Sequence, residues 1–251
     1  MSQKLTQVAA YLPTPWSNLS YAEIMNRSGG QLIQGGRSSR VFRFIDDHEI
    51  CFLKRYNYRK IHWHHCWQKS QVQREFENLK KIKQANLSCE TIEILAYGEQ
   101  RRWGRILTDA FLLSRAVADG ESLAFYLGTK PFHPQRRTIL NKLFQLSREI
   151  IKSRLAITDL FFRNLVVVPP KATLFMLDVQ YCNHNRRRAH YKSYPQLWSN
   201  ILLFCTPEEQ KLAAKIIEPS LPFTMEKLNH RAQQFIGKER KRQMAELNLF
   251  R

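Results

Sequence analysis

The chain of 251 residues has no apolar run approaching the roughly 18 consecutive residues that span a bilayer, so a membrane-spanning helix is not expected. Its first residues, MSQKLTQVAAYLPTPW, lack a basic stretch followed by a long apolar one. No signal peptide is therefore expected, and the cytoplasm is the expected compartment. Cysteine is scarce. Cys51, Cys66, Cys89, Cys182 and Cys205 make an odd number, no two are spaced C-x-x-C, and most sit beside apolar residues. Reduced thiols fit that pattern better than a disulfide framework. There is no internal repeat and no low-complexity segment. Acidic side chains are also few, 21 against 40 Lys plus Arg, for a net charge of +19. Such a surface favours an anionic partner, whether nucleic acid, lipid headgroup or phosphorylated sugar, and the charge alone does not choose among them. What is present in ordinary amount is apolar residue, at 43%. That excludes wholesale disorder and suffices for one large or two small domains with a sizeable core.

Residues 1–30 mix polar and aromatic side chains and end in Ser28-Gly29-Gly30, which reads as a loosely attached lead-in. From 31 to 56 the text is strand-like. GGRSSRVFRF, the turn IDDHEI and CFLKRY predict a hairpin with Lys54 inside its second strand. NYRKIHWHHCWQKS (57–70) is a basic and aromatic insertion. A helix over about 70–85 follows, with Val72, Phe76, Leu79 and Ile82 or Lys83 as its apolar stripe. ETIEILAYGEQ and RRWGRILTDAFLLSRAV give two more strands, and ESLAFYL and RRTILNKLFQLSREIIKSRL two helices. Beyond residue 182 a polar segment leads into a largely helical remainder. Strands first and helices later predict an α+β fold in two lobes. The expected divisions are a lead-in at 1–30, a β-rich lobe at 31–116 and a mainly helical lobe at 117–251.

The chemistry concentrates in ITDLFFRNLVVVPPKATLFMLDVQ, residues 157–180. LVVV and ATLFML flank the turn Pro169-Pro170-Lys171, so a hairpin brings Asn164 and Asp178 together, with Asp159 on the loop leading in. Two hard oxygen ligands side by side suit Mg²⁺, and a neighbouring carboxylate suits proton acceptance from an attacking hydroxyl. An Asp and an Asn five apart, with a second Asp beyond a hairpin, is the arrangement of protein-kinase-type phosphotransferases. A plain structural reading makes both aspartates turn or cap residues. The upstream half shifts that balance, because a kinase needs a strand lysine for the nucleotide phosphates and a helix glutamate to hold it. Lys54 is such a lysine. At 100° per residue Glu75 lies roughly 70° from the centre of the apolar stripe and Glu77 roughly 130°, so Glu75 is the expected partner and Glu77 the solvent-facing one.

With these residues in order, the sequence resembles the lipopolysaccharide core kinases, bacterial protein-kinase-like enzymes that phosphorylate heptose or Kdo. RSSRVFRF, CFLKRY, QREFENLKKIKQANLSCETIEILAYGEQ and RILTDAFLLSRAVADGESLAFYL carry the first half of the resemblance, ITDLFFRNLVV and FMLDVQ the second. It spans roughly residues 31–182 and, more faintly, the helical remainder. The resemblance implies a two-lobed kinase fold, ATP with Mg²⁺, and a sugar hydroxyl of the lipopolysaccharide inner core as acceptor. It also implies work at the anionic inner face of the cytoplasmic membrane. It gives Lys54 to the ATP phosphates, Glu75 to positioning Lys54, Asp159 to the catalytic base, Asn164 and Asp178 to the metal, and Gly35 and Gly36 to the loop over the phosphates. The sequence departs from the pattern at several places. The loop QGGRSSRV has fewer glycines than the three of protein kinases, Ile157 and Thr158 stand where a histidine often precedes the base, Phe161 replaces a lysine, and Val179-Gln180 replaces Phe-Gly. Arg163 is the candidate to restore the missing positive charge.

His62, His64, His65 and Cys66 are too crowded and lack a second half for a zinc site, and the 57–70 segment better suits an interfacial patch or a packed surface loop. Arg186, Arg187, Arg188 and Lys192 follow Asp178 closely and could meet phosphate or carboxylate groups of an acceptor, whereas KERKR (238–242) reads as an exposed helix face. The competing readings are a kinase-like protein that is inactive or acts on another acceptor, and a basic nucleic-acid-binding protein, for which no recognised motif is present.

Overall fold

A computed structural model of the chain describes every residue except Pro15, Arg37, Asp47, His48, 59–68, Phe250 and Arg251, together with the backbone but not the side chains of 238, 239 and 241–249. The chain divides into two compact units, one of Met1–Glu77 with Ile92–Val117, the other of Asn78–Thr91 with Ala118–Arg251.

The first unit is a six-stranded antiparallel sheet. Its strands are β1 (Ser2–Gln7), β2 (Gln31–Gly35), β3 (Ser39–Asp46), β4 (Glu49–Asn57), β6 (Ile94–Arg102) and β7 (Ile106–Arg115), in the order β1-β6-β7-β4-β3-β2. Strand β5 (Glu90–Thr91) belongs to the second unit. The β3–β4 register sets Val41 opposite Lys54, and β7 sets Leu112 opposite it on the other side. Alternation divides β4 cleanly: Cys51 and Leu53 are fully buried in the core, so Lys54 and Tyr56 point to the other face.

Residues 1–30 are not a loose lead-in. Strand β1 pairs with β6 from Ser2↔Arg101 to Gln7↔Ala96, and the short helix α1 (Tyr21–Asn26) is held by a Ser20/Glu23 capping box. Trp16 is completely buried, meets Phe44 edge-on at 5.1 Å, and donates from Nε1 to Asp46 Oδ2 at 3.0 Å. Arg27 covers the Trp16 ring at 4.0 Å and reaches Asp46 Oδ1 at 2.8 Å. Tyr21 lies over Gly98 so closely that a Cβ there would sit 2.8 Å from its ring, which is why a strand interior tolerates glycine at this point. The segment is therefore part of the β-rich unit's core.

Helix α2 (Gln71–Gln84) begins at Ser70, whose Oγ accepts from Gln73 N–H, and buries Val72, Leu79 and Ile82. The boundary between units falls inside it, after Glu77, so 78–91 belong with the helical unit and not with 31–116. The second unit otherwise contains α3 (Leu123–Thr129), α4 (Arg136–Lys152), the three-residue turn α5 (Arg186–Arg188), α6 (Tyr194–Phe204), α7 (Pro207–Ile217) and α8 (Met225–Leu249). Its strands β8 (Glu121–Ser122), β10 (Leu165–Val168) and β11 (Thr173–Met176) form the sheet β5-β11-β10-β8, and β9 (Leu155–Ile157) pairs with β12 (Cys182–His184). Apolar residues of α4 and α6, among them Ile139, Leu143, Phe144, Leu197 and Ile201, fill the unit's centre. Residues 238–242 lie within α8, where Arg240 is exposed and the rest of that run is outside the described side chains. Among the described residues no helix is long and apolar enough to cross a membrane.

Candidate active site

In the β-rich unit, Lys54 on β4 and Glu75 on α2 form an ion pair, Nζ to Oε2 at 3.1 Å. The Glu75 side chain is 3% exposed and that of Lys54 17%, so both partners are largely shielded, the carboxylate more than the ammonium. Tyr56, two residues beyond Lys54 on the same strand face, donates its hydroxyl to the same Glu75 oxygen at 3.2 Å. Its ring stands 5.4 Å from the Lys54 ammonium and stacks on Tyr58 at 6.3 Å. Tyr58 in turn accepts from the Gln71 N–H at the start of α2, and burial pushes its own phenol pKa up. Glu77 instead pairs at 2.7 Å with exposed Lys69. Helix phase therefore separates the two glutamates as the 100° rotation per residue requires.

Gly35 ends β2, and the Gly36 N–H closes the β2–β3 turn on the Ser39 carbonyl at 2.8 Å. Neither glycine has a left-handed backbone, and a Cβ would meet only ordinary contacts, Ser39 O at 3.4 Å from Gly36 and Leu32 at 3.9 Å from Gly35.

In the helical unit, Asp159, Asn164 and Asp178 are tied together by backbone. Asn164 donates from Nδ2 to the Asp159 carbonyl at 2.8 Å, which turns Oδ1 the other way. The β10–β11 register sets Leu165 opposite Met176, and Leu177 N–H donates to the Asn164 carbonyl at 3.0 Å, so Asn164 and Asp178 sit at the same end of the hairpin. Asp159 and Asp178 both hold left-handed backbone, φ 61 and 52. Aspartate tolerates that region better than most residues, yet two such positions in one segment mark a loop over-determined by its surroundings. The surroundings are visible. Phe161 N–H returns to the Asp159 carbonyl at 2.8 Å, and Phe162 N–H is taken by Oδ1 of the fully buried Asn200 at 3.0 Å. Thr158 N–H reaches the Tyr181 carbonyl, and buried Asn78 donates to the Val179 carbonyl at 3.1 Å, fixing the residue after Asp178. Gln180 donates to Asp178 Oδ1 at 2.6 Å. Arg163 lies over the Phe161 ring at 4.3 Å, on the loop between Asp159 and Asn164.

An amide oxygen and a carboxylate are hard donors of the kind Mg²⁺ takes when it keeps several waters and completes its shell with substrate phosphates. The donor set of Asn164 and Asp178 fits that ion. Among the described residues no group of three or more His, Cys, Asp or Glu side chains could hold a metal by itself. His62, His64, His65 and Cys66 lie outside the described residues, as does most of the 57–70 insertion. Arg186 and Arg187 are exposed, whereas Arg188 packs on the Tyr181 ring at 4.1 Å with its N–H capped by Asn185. A single π-helical turn follows (189–193), and within it burial, then Arg186 and Arg231, press the His190 pKa down. A cavity of about 610 Å³ elsewhere in this unit, lined by Leu87–Glu90, α4 and β11, contains none of the three site residues.

Sequence reasoning missed Tyr56, Asn78 and Asn200. Tyr56 carried a signal, the period of two from Lys54. Asn78 is three residues beyond Glu75 on the same helix, and Asn200 interrupts the apolar run of α6. Buried polar residues inside apolar elements are where positioning hydrogen bonds are found.

No protein-family model matches the chain, and no curated protein matches it. Among solved structures, the chain is similar to WaaP in complex with acyl carrier protein, at 15% identity, covering 95% of this chain and 97% of that one with a TM-score of 0.61. A second similar structure is WbdD co-crystallised with a kinase inhibitor, at 17% identity, 80% of this chain, 44% of that chain and a TM-score of 0.48. The four described cysteines, Cys51, Cys89, Cys182 and Cys205, are unpaired thiols. With its β-rich unit, its mainly helical unit and its end-to-end likeness to the WaaP chain, this chain has a protein-kinase-like fold.

Proposed function

We propose that the chain is a kinase of the lipopolysaccharide core type, transferring the γ-phosphoryl group of ATP to a heptose or Kdo hydroxyl of the inner core. The observation that carries this reading is the buried Glu75 carboxylate paired with the Lys54 ammonium, on a strand and a helix of the kind a kinase uses for the purpose. Lys54 then meets the nucleotide phosphates, with the turn at Gly35 and Gly36 forming the loop over them. Asn164 and Asp178 would hold Mg²⁺, which when bound neutralises charge gathering on the transferring group. Asp159 accepts the proton of the acceptor hydroxyl as its oxygen bonds to phosphorus and the bond to ADP breaks. Arg163, Arg186, Arg187 and Arg188 supply cations for a phosphorylated or acidic sugar. The acceptor sits on lipid, so the site of action is the inner face of the cytoplasmic membrane.

The test is mass spectrometry of lipopolysaccharide from cells lacking the protein, complemented with wild type or Asp159→Ala. The expected result is an inner core short of one phosphate, restored by wild type alone. An inner core identical in all strains contradicts the reading.

The structure of WaaP with acyl carrier protein suggests a partner for this chain as well. A charge of +19 favours a partner of opposite sign. Co-elution of the purified chain with acyl carrier protein in size-exclusion chromatography is expected at low salt and weakens as salt rises. Separate elution at low salt counts against the pairing.

A further inference from the structure

Among the described residues, Arg27 and Arg231 each lie over two aromatic rings. In the β-rich unit, Arg27 stands 4.0 Å from the Trp16 ring and 5.1 Å from that of Phe44, and its charge is met by Asp46 at 2.8 Å. In the helical unit, Arg231 of α8 stands 4.1 Å from the Tyr191 ring and 4.7 Å from that of Phe223. One of its terminal nitrogens donates to the His190 carbonyl at 3.2 Å. Among the described residues no carboxylate meets this guanidinium, and no other acceptor takes its remaining N–H groups. The ring seats are alike and the counter-charge is present in only one of them. A half-buried guanidinium held flat by rings keeps its fork of donors oriented for an oxyanion.

The surroundings add charge of the same sign. Tyr191 and Lys192 belong to the π-helical turn, a rare form that recurs at functional sites. Tyr191 covers Arg231 and is still 54% exposed, so the seat faces solvent. Lys227 precedes Arg231 by one helical turn on the same face of α8. Lys192 and Lys227 are exposed, and neither meets a carboxylate among the described residues. Glu226, the nearest acid along α8, is five residues from Arg231 and so turned about 140° away from it. No acidic residue stands between Asp178 and Glu208. Where the fold uses an arginine purely as a brace it closes it with a carboxylate, Asp46 at Arg27 and Glu209 at Arg136. Three cations gathered without one repel each other, and an external anion removes that repulsion.

We propose that Arg231 is the centre of an anion site that takes a phosphate group, with Lys192 and Lys227 sharing its charge. The guanidinium fork matches two phosphate oxygens, and the added cations favour a doubly charged phosphate monoester over a carboxylate. A lipid headgroup and a soluble phosphorylated sugar both carry such a group, and the chemistry that holds it is the same. Arg231, Lys192 and Lys227 take no part in the phosphotransfer proposed above, so the site stands whether or not that reaction is performed.

Two arms test it on the purified full chain without nucleotide. In one, the chain is floated with phosphatidylcholine vesicles, with and without phosphatidic acid. In the other, glucose 6-phosphate and, as its control, glucose are titrated by calorimetry. Wild type is expected to bind the phosphatidic acid vesicles, glucose 6-phosphate or both, and neither control. The arm that responds identifies the source of the phosphate. Arg231→Gln is expected to weaken binding about tenfold, and Lys192→Gln and Lys227→Gln about threefold each. Both lysines are exposed, so their variants report on the site even where Arg231→Gln fails to fold. Lys54→Met is expected to bind the phosphate as wild type does, which separates this site from that of the nucleotide. Wild type that binds neither probe overturns the inference. So does binding that survives unchanged in Arg231→Gln or in both lysine variants, and binding that is lost in Lys54→Met.

Discussion

Glu75 accepts from Lys54 and Tyr56 on one oxygen while almost wholly removed from water. A carboxylate so placed is held in one orientation, and it holds the ammonium in turn. Glu75→Gln keeps the shape and removes the charge that aligns Lys54. Phosphotransfer should fall about a hundredfold, the scale of an ångström-sized misplacement of a reacting group. Glu77→Gln, on a partly exposed side chain paired with exposed Lys69, should leave activity unchanged. Steady-state kinetics on both variants makes the comparison, and equal losses would remove Glu75 from its special position. The distinction between these glutamates was legible in the sequence, because strand and helix periods are local properties. The left-handed backbones of Asp159 and Asp178 were not, since they are imposed by Asn78, Asn200 and the β10–β11 register, which are remote in sequence.

Among elements, α4 and α7 are joined by a clasp. Arg136, 7% exposed, meets Glu209 through Nε at 2.9 Å and through a terminal nitrogen at 3.0 Å, and also donates to the Leu127 and Phe204 carbonyls. Burial raises the Glu209 pKa, but the Arg136 bonds and the Thr206 N–H outweigh it and leave the carboxyl below its ordinary value. A lowered folded pKa contributes stability above the unfolded value and loses it as pH falls through the folded one. Arg136→Lys cannot make the bidentate contact and should cost about 2 kcal/mol at neutral pH, a fall of about 4–8 °C in melting temperature. The gap from wild type should narrow as acid protonates Glu209, without closing, because the carbonyl contacts persist. A gap independent of pH would show that Glu209 adds nothing. The same scale holds the largest misreading. Strand β1 has an exposed, polar pattern with no apolar period, and Trp16 finds Arg27, Phe44 and Asp46 only once the sheet exists. Lead-in and core are indistinguishable until those partners are in place.

For the whole molecule, the order of strands and then helices was enough to anticipate the α+β class, since each unit builds its core from consecutive elements. The division inside α2 was hidden, because one helical period runs through Glu77 and Asn78 without a break. The central proposal is that Lys54 meets the phosphates of ATP and that Asn164 and Asp178 hold its Mg²⁺. Isothermal titration of ATP with and without Mg²⁺ into wild type, Lys54→Met and Asp178→Asn tests it most directly. Magnesium-dependent binding by wild type, lost or weakened at least about tenfold in both variants, is the expected result. Either variant binding Mg·ATP as wild type does would contradict the claim.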